Sequence, residues 1–464
     1  MTLQSTFDSL RAAARAEPYP DYATRRDRLE SLLQLVKART ADIEAAASAD
    51  FGHRSRHETL IGDVFLVVSG LRYMQRNLKR WMRPQGRGLG MALRPASAEV
   101  LPQPLGTVGV ISPWNYPLQL ALVPAAYAIA AGNRVLIKPS EFTPRTGELL
   151  GELVASAWGA DVATVVTGGP EVSAEFASLP FDHLFYTGST RIGRKVAAAA
   201  GQNLTPVTLE LGGKSPVLVH PEYPADKAAK CIAPGKLFNA GQTCVAPDYV
   251  LVQRGKPADA LVSEILTCFQ AMYPSLVDNN DYTTIANDSH DARLQALLDD
   301  ARDKGAELIE FNPGKESFAA TRKRAPVIVR RPTEEMLVMQ DEIFGPILPI
   351  VEVDSYDEAV AYVNAHPSPL AMYVFDRNQS RVAEVLRQTR AGGVTVNDTV
   401  LHAADESLPF GGVGPSGTGS YHGPEGFYTF SHRKSVLRQA RVNGRALLAP
   451  PYGRRLEKLL DFLM

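Results

Sequence analysis

A chain of 464 residues is longer than a single hydrophobic core usually supports, so two or three domains are expected. Hydrophobic residues at 45%, charged residues at 21% and a formal net charge of −1 describe a globular protein. That balance gives no electrostatic reason to bind nucleic acid or an anionic membrane. Three cysteines, Cys231, Cys244 and Cys268, are too few for a disulfide framework, and no CxxC or HExxH signals a metal. A reducing compartment, the cytoplasm, is the expectation.

The opening residues, MTLQSTFDSLRAAARAEPYP, lack an apolar signal core. Residues 24–50 place Leu29, Leu32, Val36 and Ile43 at helical spacing. A second helical stretch over 57–83 ends in RYMQRNLKRWMRPQGR, whose arginines read as a solvated helix face. ALRPASAEVLPQP, near 92–104, reads as strand-turn-strand material outside the domain that follows. From 106 onward strands and helices alternate: TVGVIS (107–112), a helix at 117–131, RVLIKPS (134–140), a helix from TPRTG, ATVVTG, a short helix, and HLFYTGS (183–189). The most apolar helix, PLQLALVPAAYAIAAG, contains Gln119 and Pro124 and is short for a membrane span. The alternation predicts a parallel sheet covered on both faces, which binds its ligand at the carboxyl ends of its strands. PVTLELGG (206–213) reads as the opening of a new region. There PVLVH and a helix near 225–240 lead to Cys244, and further alternation runs to about 415. A last strand in RKSVLRQA and a short terminal helix close the chain.

Cys244 stands among small and polar neighbours in GKLFNAGQTCVAPDYV, unlike a thiol packed among aliphatics. Alone it reads equally as a nucleophile or as a packed structural thiol. Glu210 interrupts an apolar strand just before Gly-Gly, where burial would raise its pKa and suit it to general-base work; in isolation a solvated strand end is the commoner case. Asn115, between Pro113 and Pro117, is a donor for an oxyanion or a turn residue. Lys138 and Glu141 at a strand end suit a ribose diol, and a glutamate there disfavours a 2′-phosphate. YTGSTRIG (186–193) opens a helix as a phosphate cradle does, although it is not GxGxxG.

In combination and order, PWNYP, IKPSE, FYTGSTRIG, LELGGKSP, NAGQTC, DEIFGPILP and LPFGGVGPSG resemble the aldehyde dehydrogenase superfamily, from about residue 20 to the end. The separation 244 − 210 = 34 residues fits its glutamate and cysteine signatures. GQTCVAPDYV, LPFGGVGPSGTGSYHG and TFSHRKSV are similar to the class 3 branch. Within that branch the ending PPYGRRLEKLLDFLM is similar to the bacterial coniferyl aldehyde group. The microsomal members of the branch carry a hydrophobic tail that this ending lacks, so a soluble enzyme is expected.

The resemblance implies a Rossmann-like cofactor domain over 1–208, interrupted by a hairpin at 92–104, and a catalytic domain over 209–418. Residues 419–464 would join the hairpin in oligomerisation, as a homodimer. It also implies NAD-linked oxidation of an aldehyde to an acid, with NADP possible, through a thiohemiacetal and a thioester on Cys244. Asn115 and the Cys244 N–H would hold the oxyanion, and Glu210 would activate water. Trp114, Lys138, Ser140, Glu141, Gly188, Ser189, Gly193, Glu342 and Phe344 would bind the cofactor, and Tyr116, Leu120 and Val123 would line the substrate pocket. An aromatic aldehyde such as coniferyl aldehyde is the expected substrate, with a medium- or long-chain aliphatic aldehyde as the alternative. A coenzyme-A-acylating enzyme would generally lack the water-activating glutamate. A cysteine hydrolase would need a histidine partner such as His220 or His402 in a recognisable motif, and a non-catalytic relative would be expected to have relaxed Cys244, Asn115 or Glu210.

Overall fold

The computed structural model describes residues 2–464. Helix Leu3–Ala16, which the sequence pattern did not announce, packs Phe7 and Leu10 into a cluster with the strand residues Leu136 and Leu184. The periodic stretch that follows is two helices, Tyr22–Ala38 and Thr40–Phe51, separated at Arg39. Asp21 caps the first by accepting the Thr24 N–H at 2.8 Å, and Gly52 ends the second at φ 80. Leu29, Leu32, Val36 and Ile43 are all buried.

The second helical stretch is interrupted by a π-turn, Leu60–Phe65, between helices Arg56–Thr59 and Leu66–Trp81. The extra backbone leaves Ile61 and Phe65 more than half exposed, although both are large and apolar. Asp63 inside this turn is buried against Arg54 at 3.1 Å. Its Oδ1 accepts the N–H groups of Leu118 and Gln119, satisfying the start of helix Gln119–Ala131. The Arg54 guanidinium lies over the rings of Phe51 and Tyr116. The turn is thereby fastened to the segment that carries Asn115.

The first sheet has the order Gly417–Thr418, Val207–Glu210, His183–Thr187, Thr107–Ile111, Arg134–Lys138, Ala163–Val165. All pairings are parallel except that of Gly417–Thr418. Chain order reverses at Thr107–Ile111, which makes a crevice at the carboxyl ends there. Strand Val207–Glu210 therefore completes this sheet instead of opening a new region. It follows helix Thr190–Gln202 as the third part of a β-α-β unit, and that crossover lays it beside His183–Thr187. Residues 211–215 then pass directly to Pro216–Val219 in the middle of the second sheet.

That second sheet runs Glu307–Glu310, Val327–Arg330, Ile347–Val353, Tyr249–Gln253, Pro216–Val219, Ala371–Phe375, Gly393–Val396, with only its first pair antiparallel. The short link sets the carboxyl end of one sheet beside the amino end of the other, and Cys244 lies in the loop entering Tyr249–Gln253.

The expected hairpin at 92–104 is a single strand, Ser97–Pro104, preceded by a 3-10 turn at Met91–Leu93. Pro95 has no N–H to give a ladder, so pairing begins only after it. Ser97–Pro104 lies between Gln85–Arg87 and Ser431–Arg438 in a small antiparallel sheet. Among the described residues no helix is long and apolar enough to cross a membrane.

Candidate active site

The loop carrying Cys244 is held in an unusual backbone path. Helix Ala225–Leu237 ends, and Asn239, Ala240 and Gly241 follow with φ of 53, 53 and 77. Two consecutive non-glycine residues in the left-handed region cost free energy that surrounding contacts must offset. Those contacts are present. Glu58 accepts the Asn239 N–H at 2.9 Å and the Thr283 hydroxyl. Gln242, fully buried, donates to the carbonyls of Asn239 and Thr284 and accepts the Ala286 N–H. Gly241 is required by space as well as by φ, because a Cβ there would lie 2.4 Å from the Gly345 carbonyl oxygen. The small residues before Cys244 are the consequence of this path.

Asn115 is buried, and its Nδ2 donates to the Gln242 carbonyl at 3.1 Å while its own carbonyl accepts from Asn239. Tyr116, the next residue, shares a 2.6 Å hydrogen bond with the Thr243 hydroxyl. The strand-end asparagine and the cysteine loop, about 130 residues apart in sequence, are stitched together by these bonds. From the other side, the Tyr373 hydroxyl donates to the Val245 carbonyl.

The Cys244 thiol is partly buried, and burial, together with the charges of Glu342 and Glu210, pushes its pKa up to about 12. Glu210 is only 2% exposed, and neither carboxyl oxygen has a hydrogen-bond partner. Burial alone holds its pKa well above the usual carboxylate range. An unpartnered buried carboxyl is costly to folding, so its retention beside a thiol marks a site of chemistry. Glu342 is likewise pushed up, to about 8, by burial and by the nearby Asp248. Its backbone is fixed by Arg293, which donates to the carbonyls of Glu342 and Ile343. Lys214 and Asp248, paired with each other, brace the same segment through Asp341 and Ile343. Gly212 has no side chain where a Cβ would meet the Glu342 carboxylate.

Of the residues expected to hold a dinucleotide, Lys138, Ser140, Glu141, Gly188, Ser189 and Gly193 lie at or just beyond the carboxyl ends of first-sheet strands, whereas Glu342 and Phe344 precede strand Ile347–Val353 of the second sheet. Lys138 is buried, with its ammonium donating to the Pro139 carbonyl at 2.9 Å and to Glu141 at 3.2 Å. Ser140 accepts the Phe142 N–H. Ser189 caps helix Thr190–Gln202, whose free N–H groups suit an anion. Gly188 forms the tight turn before it, and Gly193 lets the helix approach Leu211, which a Cβ would meet at 2.6 Å. Trp114 packs its ring against Phe344, His290 and Phe51. These features fit a nicotinamide dinucleotide.

Tyr116, Leu120 and Val123 are less alike than their helical spacing suggested. Tyr116 stacks on Phe238 beside the cysteine loop, but Val123 is packed within the main core. His402 does not partner the thiol: its Nδ1 is bonded to Thr395, and burial pushes its pKa down to about 4. His220 packs against Tyr356 and lies near Arg381. Tyr421, Gln119 and Glu406 also meet near the thiol, though the sequence pattern marks none of them as a site residue. Tyr421 is buried, bonds to Gln119, and has its hydroxyl pushed up by Glu210, Glu406 and Cys244 together. Nothing in local spacing marks residues 119, 406 and 421 as neighbours.

Two open α/β sheets meet at this cysteine. A solved structure described as the substrate-bound state of Staphylococcus aureus AldH superposes with a TM-score of 0.94 at 35% identity, covering 100% of both chains. The aldehyde dehydrogenase family matches residues 5–436, and the chain belongs to that family. It is 46% identical over 459 residues to a Pseudomonas aeruginosa protein named probable coniferyl aldehyde dehydrogenase, covering 99% of this chain and 95% of that one. It is 44% identical over 466 residues to the coniferyl aldehyde dehydrogenase of Pseudomonas sp. strain HR199, covering 100% and 96%. The chain is thus an NAD(P)-dependent dehydrogenase that converts aldehydes to carboxylic acids.

Proposed function

We propose that the chain oxidises an aromatic aldehyde of the hydroxycinnamyl kind, such as coniferyl aldehyde, with NAD as the preferred acceptor. The observation that carries this reading is near-full-length similarity to two relatives of that name. The cofactor domain extends past the expected boundary at 208 to the end of strand Val207–Glu210, since that strand belongs to the first sheet; the catalytic domain follows to 418, and 419–464 serve assembly.

Cys244 Sγ attacks the aldehyde carbon to form a thiohemiacetal, and the Asn115 amide and the Cys244 N–H receive the oxyanion. Bound NAD supplies the acceptor for the hydride that this adduct loses. Glu210 takes a proton from the water that attacks the resulting thioester, Cys244 departs as thiolate, and the acid is released. Lys138 and Glu141 would bind the adenosine ribose, Ser189 the pyrophosphate, and Glu342 with Phe344 the nicotinamide ribose, while Trp114, Ser140, Gly188 and Gly193 would line the same groove. The Glu141 carboxylate disfavours a 2′-phosphate, which is the physical basis for preferring NAD.

The test is a panel of aromatic and aliphatic aldehydes assayed with NAD and with NADP by reduced-nicotinamide absorbance. Highest kcat/KM is expected for coniferyl aldehyde with NAD. A higher value for a long-chain aliphatic aldehyde would overturn the substrate reading.

Assembly is proposed as a cytoplasmic homodimer. Strand Ser431–Arg438 is paired along one edge only and is largely exposed, which supports pairing with a second copy. Light scattering is expected to give twice the 50.4 kDa chain mass, and a monomer mass would refute this.

A further inference from the structure

Glu406 is 7% exposed, and its two oxygens have different surroundings. Oε2 accepts the Tyr127 O–H at 2.5 Å, and the same phenol oxygen accepts the Gly423 N–H. Oε1 has no donor within hydrogen-bond reach among the described residues; His422 Nε2, at 3.9 Å, is too distant. The carboxylate is therefore fixed by one oxygen and free at the other. Space is kept for that free oxygen on the facing helix Leu66–Trp81, where a Cβ on Gly70 would lie 2.9 Å from Oε1.

Glu406 lines a pocket of about 370 Å³ together with Phe65, Tyr73, Leu401, Ser69 and Arg76. Phe65 and Leu401, both more than half exposed, are apolar lips at its edge, and the π-turn is what turns Phe65 outward. Aromatic and aliphatic walls around one anchored carboxylate are what a planar aryl group with a polar far end requires. Asp405, which also borders the pocket, is already engaged by the Ser407 N–H.

The pocket and the thiol share structural parts. Tyr421 lies in the combined field of Cys244, Glu210 and Glu406. The Tyr373 hydroxyl accepts the Val400 N–H while donating to the Val245 carbonyl, so the segment bearing Leu401 and Glu406 is tied to the cysteine loop.

We propose that Glu406 is a specificity residue, its Oε1 accepting the phenolic O–H at the far end of a para-hydroxyaryl aldehyde. The proposal rests on the aryl-aldehyde reading above and names the group that the site selects. A carboxylate fixed by Tyr127 disfavours an analogue that cannot donate, because Oε1 then gives up water without gaining a partner. A para-methoxy ring fills similar space yet offers no donor, and an unsubstituted ring leaves the oxygen facing a void.

The experiment compares kcat/KM for para-hydroxycinnamaldehyde, para-methoxycinnamaldehyde and cinnamaldehyde in the wild type, Glu406→Leu and Gly70→Ala. The wild type is expected to favour the hydroxylated substrate by ~10- to 100-fold, chiefly through KM. In Glu406→Leu that ratio is expected to collapse toward one. Gly70→Ala keeps the carboxylate but fills the space beside Oε1, and is expected to lower the ratio several-fold. A wild-type ratio near one would overturn the subsite while leaving the aryl-aldehyde reading intact. A ratio unchanged in both variants would also overturn it, and if Glu406→Leu fails to fold, an unchanged ratio in Gly70→Ala does so alone. Oxidation of hexanal but of no cinnamaldehyde would defeat the aryl-aldehyde reading itself, and the subsite with it.

Discussion

Replacing Cys244 by alanine is expected to lower kcat by at least ~10⁴-fold, because the covalent adduct forms on its sulfur. Cofactor affinity, followed by the quenching of protein fluorescence on titration with NAD, is expected to change little. The reason is positional: the residues assigned to the adenosine and pyrophosphate lie at the strand ends of the first sheet, whereas Cys244 lies in the loop entering Tyr249–Gln253. A variant that still turned over aldehyde would defeat the thiohemiacetal route. The same thiol gives the wild type a pH dependence of defined sign. With its pKa pushed up to about 12, the thiolate is a trace species near neutrality, and its fraction rises tenfold for each pH unit. The rate of adduct formation should therefore increase from neutral toward alkaline pH.

Glu210→Gln is expected to separate the two halves of the reaction. Hydride loss needs no base at position 210, so a burst of reduced cofactor should persist with an amplitude near one per site. Steady-state turnover should then fall by ~10²- to 10⁴-fold, the usual contribution of a positioned general base. In the wild type Glu210 is kept neutral by burial until the pH passes its raised pKa, so deacylation should accelerate with pH, and the variant should lose that rise. Stability follows the same linkage. A carboxyl with a raised folded-state pKa contributes fully below its ordinary value, and that contribution is lost as pH rises through the folded value. The melting temperature of Glu210→Gln should accordingly gain on the wild type as pH increases. An unchanged steady state would reassign the base, with Glu342, pushed up to about 8, as the next carboxyl to test.

Much of the architecture was legible because its signals are local. The strands TVGVI, RVLIK and HLFYT are buried along their whole lengths, and helix Gln119–Ala131 between the first two is apolar and buried on every face. Val207–Glu210 was assigned to the wrong neighbour because its pattern tells that it is a strand, not which sheet it joins. The split at Arg39 was invisible for a related reason: Val36 and Ile43 on either side stay in helical phase while the backbone changes. At the site, Cys244, Glu210 and Asn115 stood out by being the wrong residue types for their surroundings. The groups that hold them did not. Gln242, Glu58, Lys214, Asp248 and Tyr373 are ordinary residues whose importance is set by contacts across tens to hundreds of residues. The substrate pocket was least legible, since Phe65, Gly70, Tyr127 and Glu406 meet only in the folded chain.

An oxidised acyl group carried by the Cys244 sulfur can be weighed directly. Glu210→Gln is mixed with coniferyl aldehyde and NAD, quenched in acid during the burst, digested with trypsin and read by mass spectrometry. The peptide following Lys236 and ending at Arg254 contains Cys244 and no other cysteine. This peptide is expected to gain the aldehyde's mass less two hydrogens, the signature of a thioester, and hydroxylamine is expected to remove the gain. An unmodified peptide, a gain of the intact aldehyde, or an acyl group on Cys231 or Cys268 would contradict it.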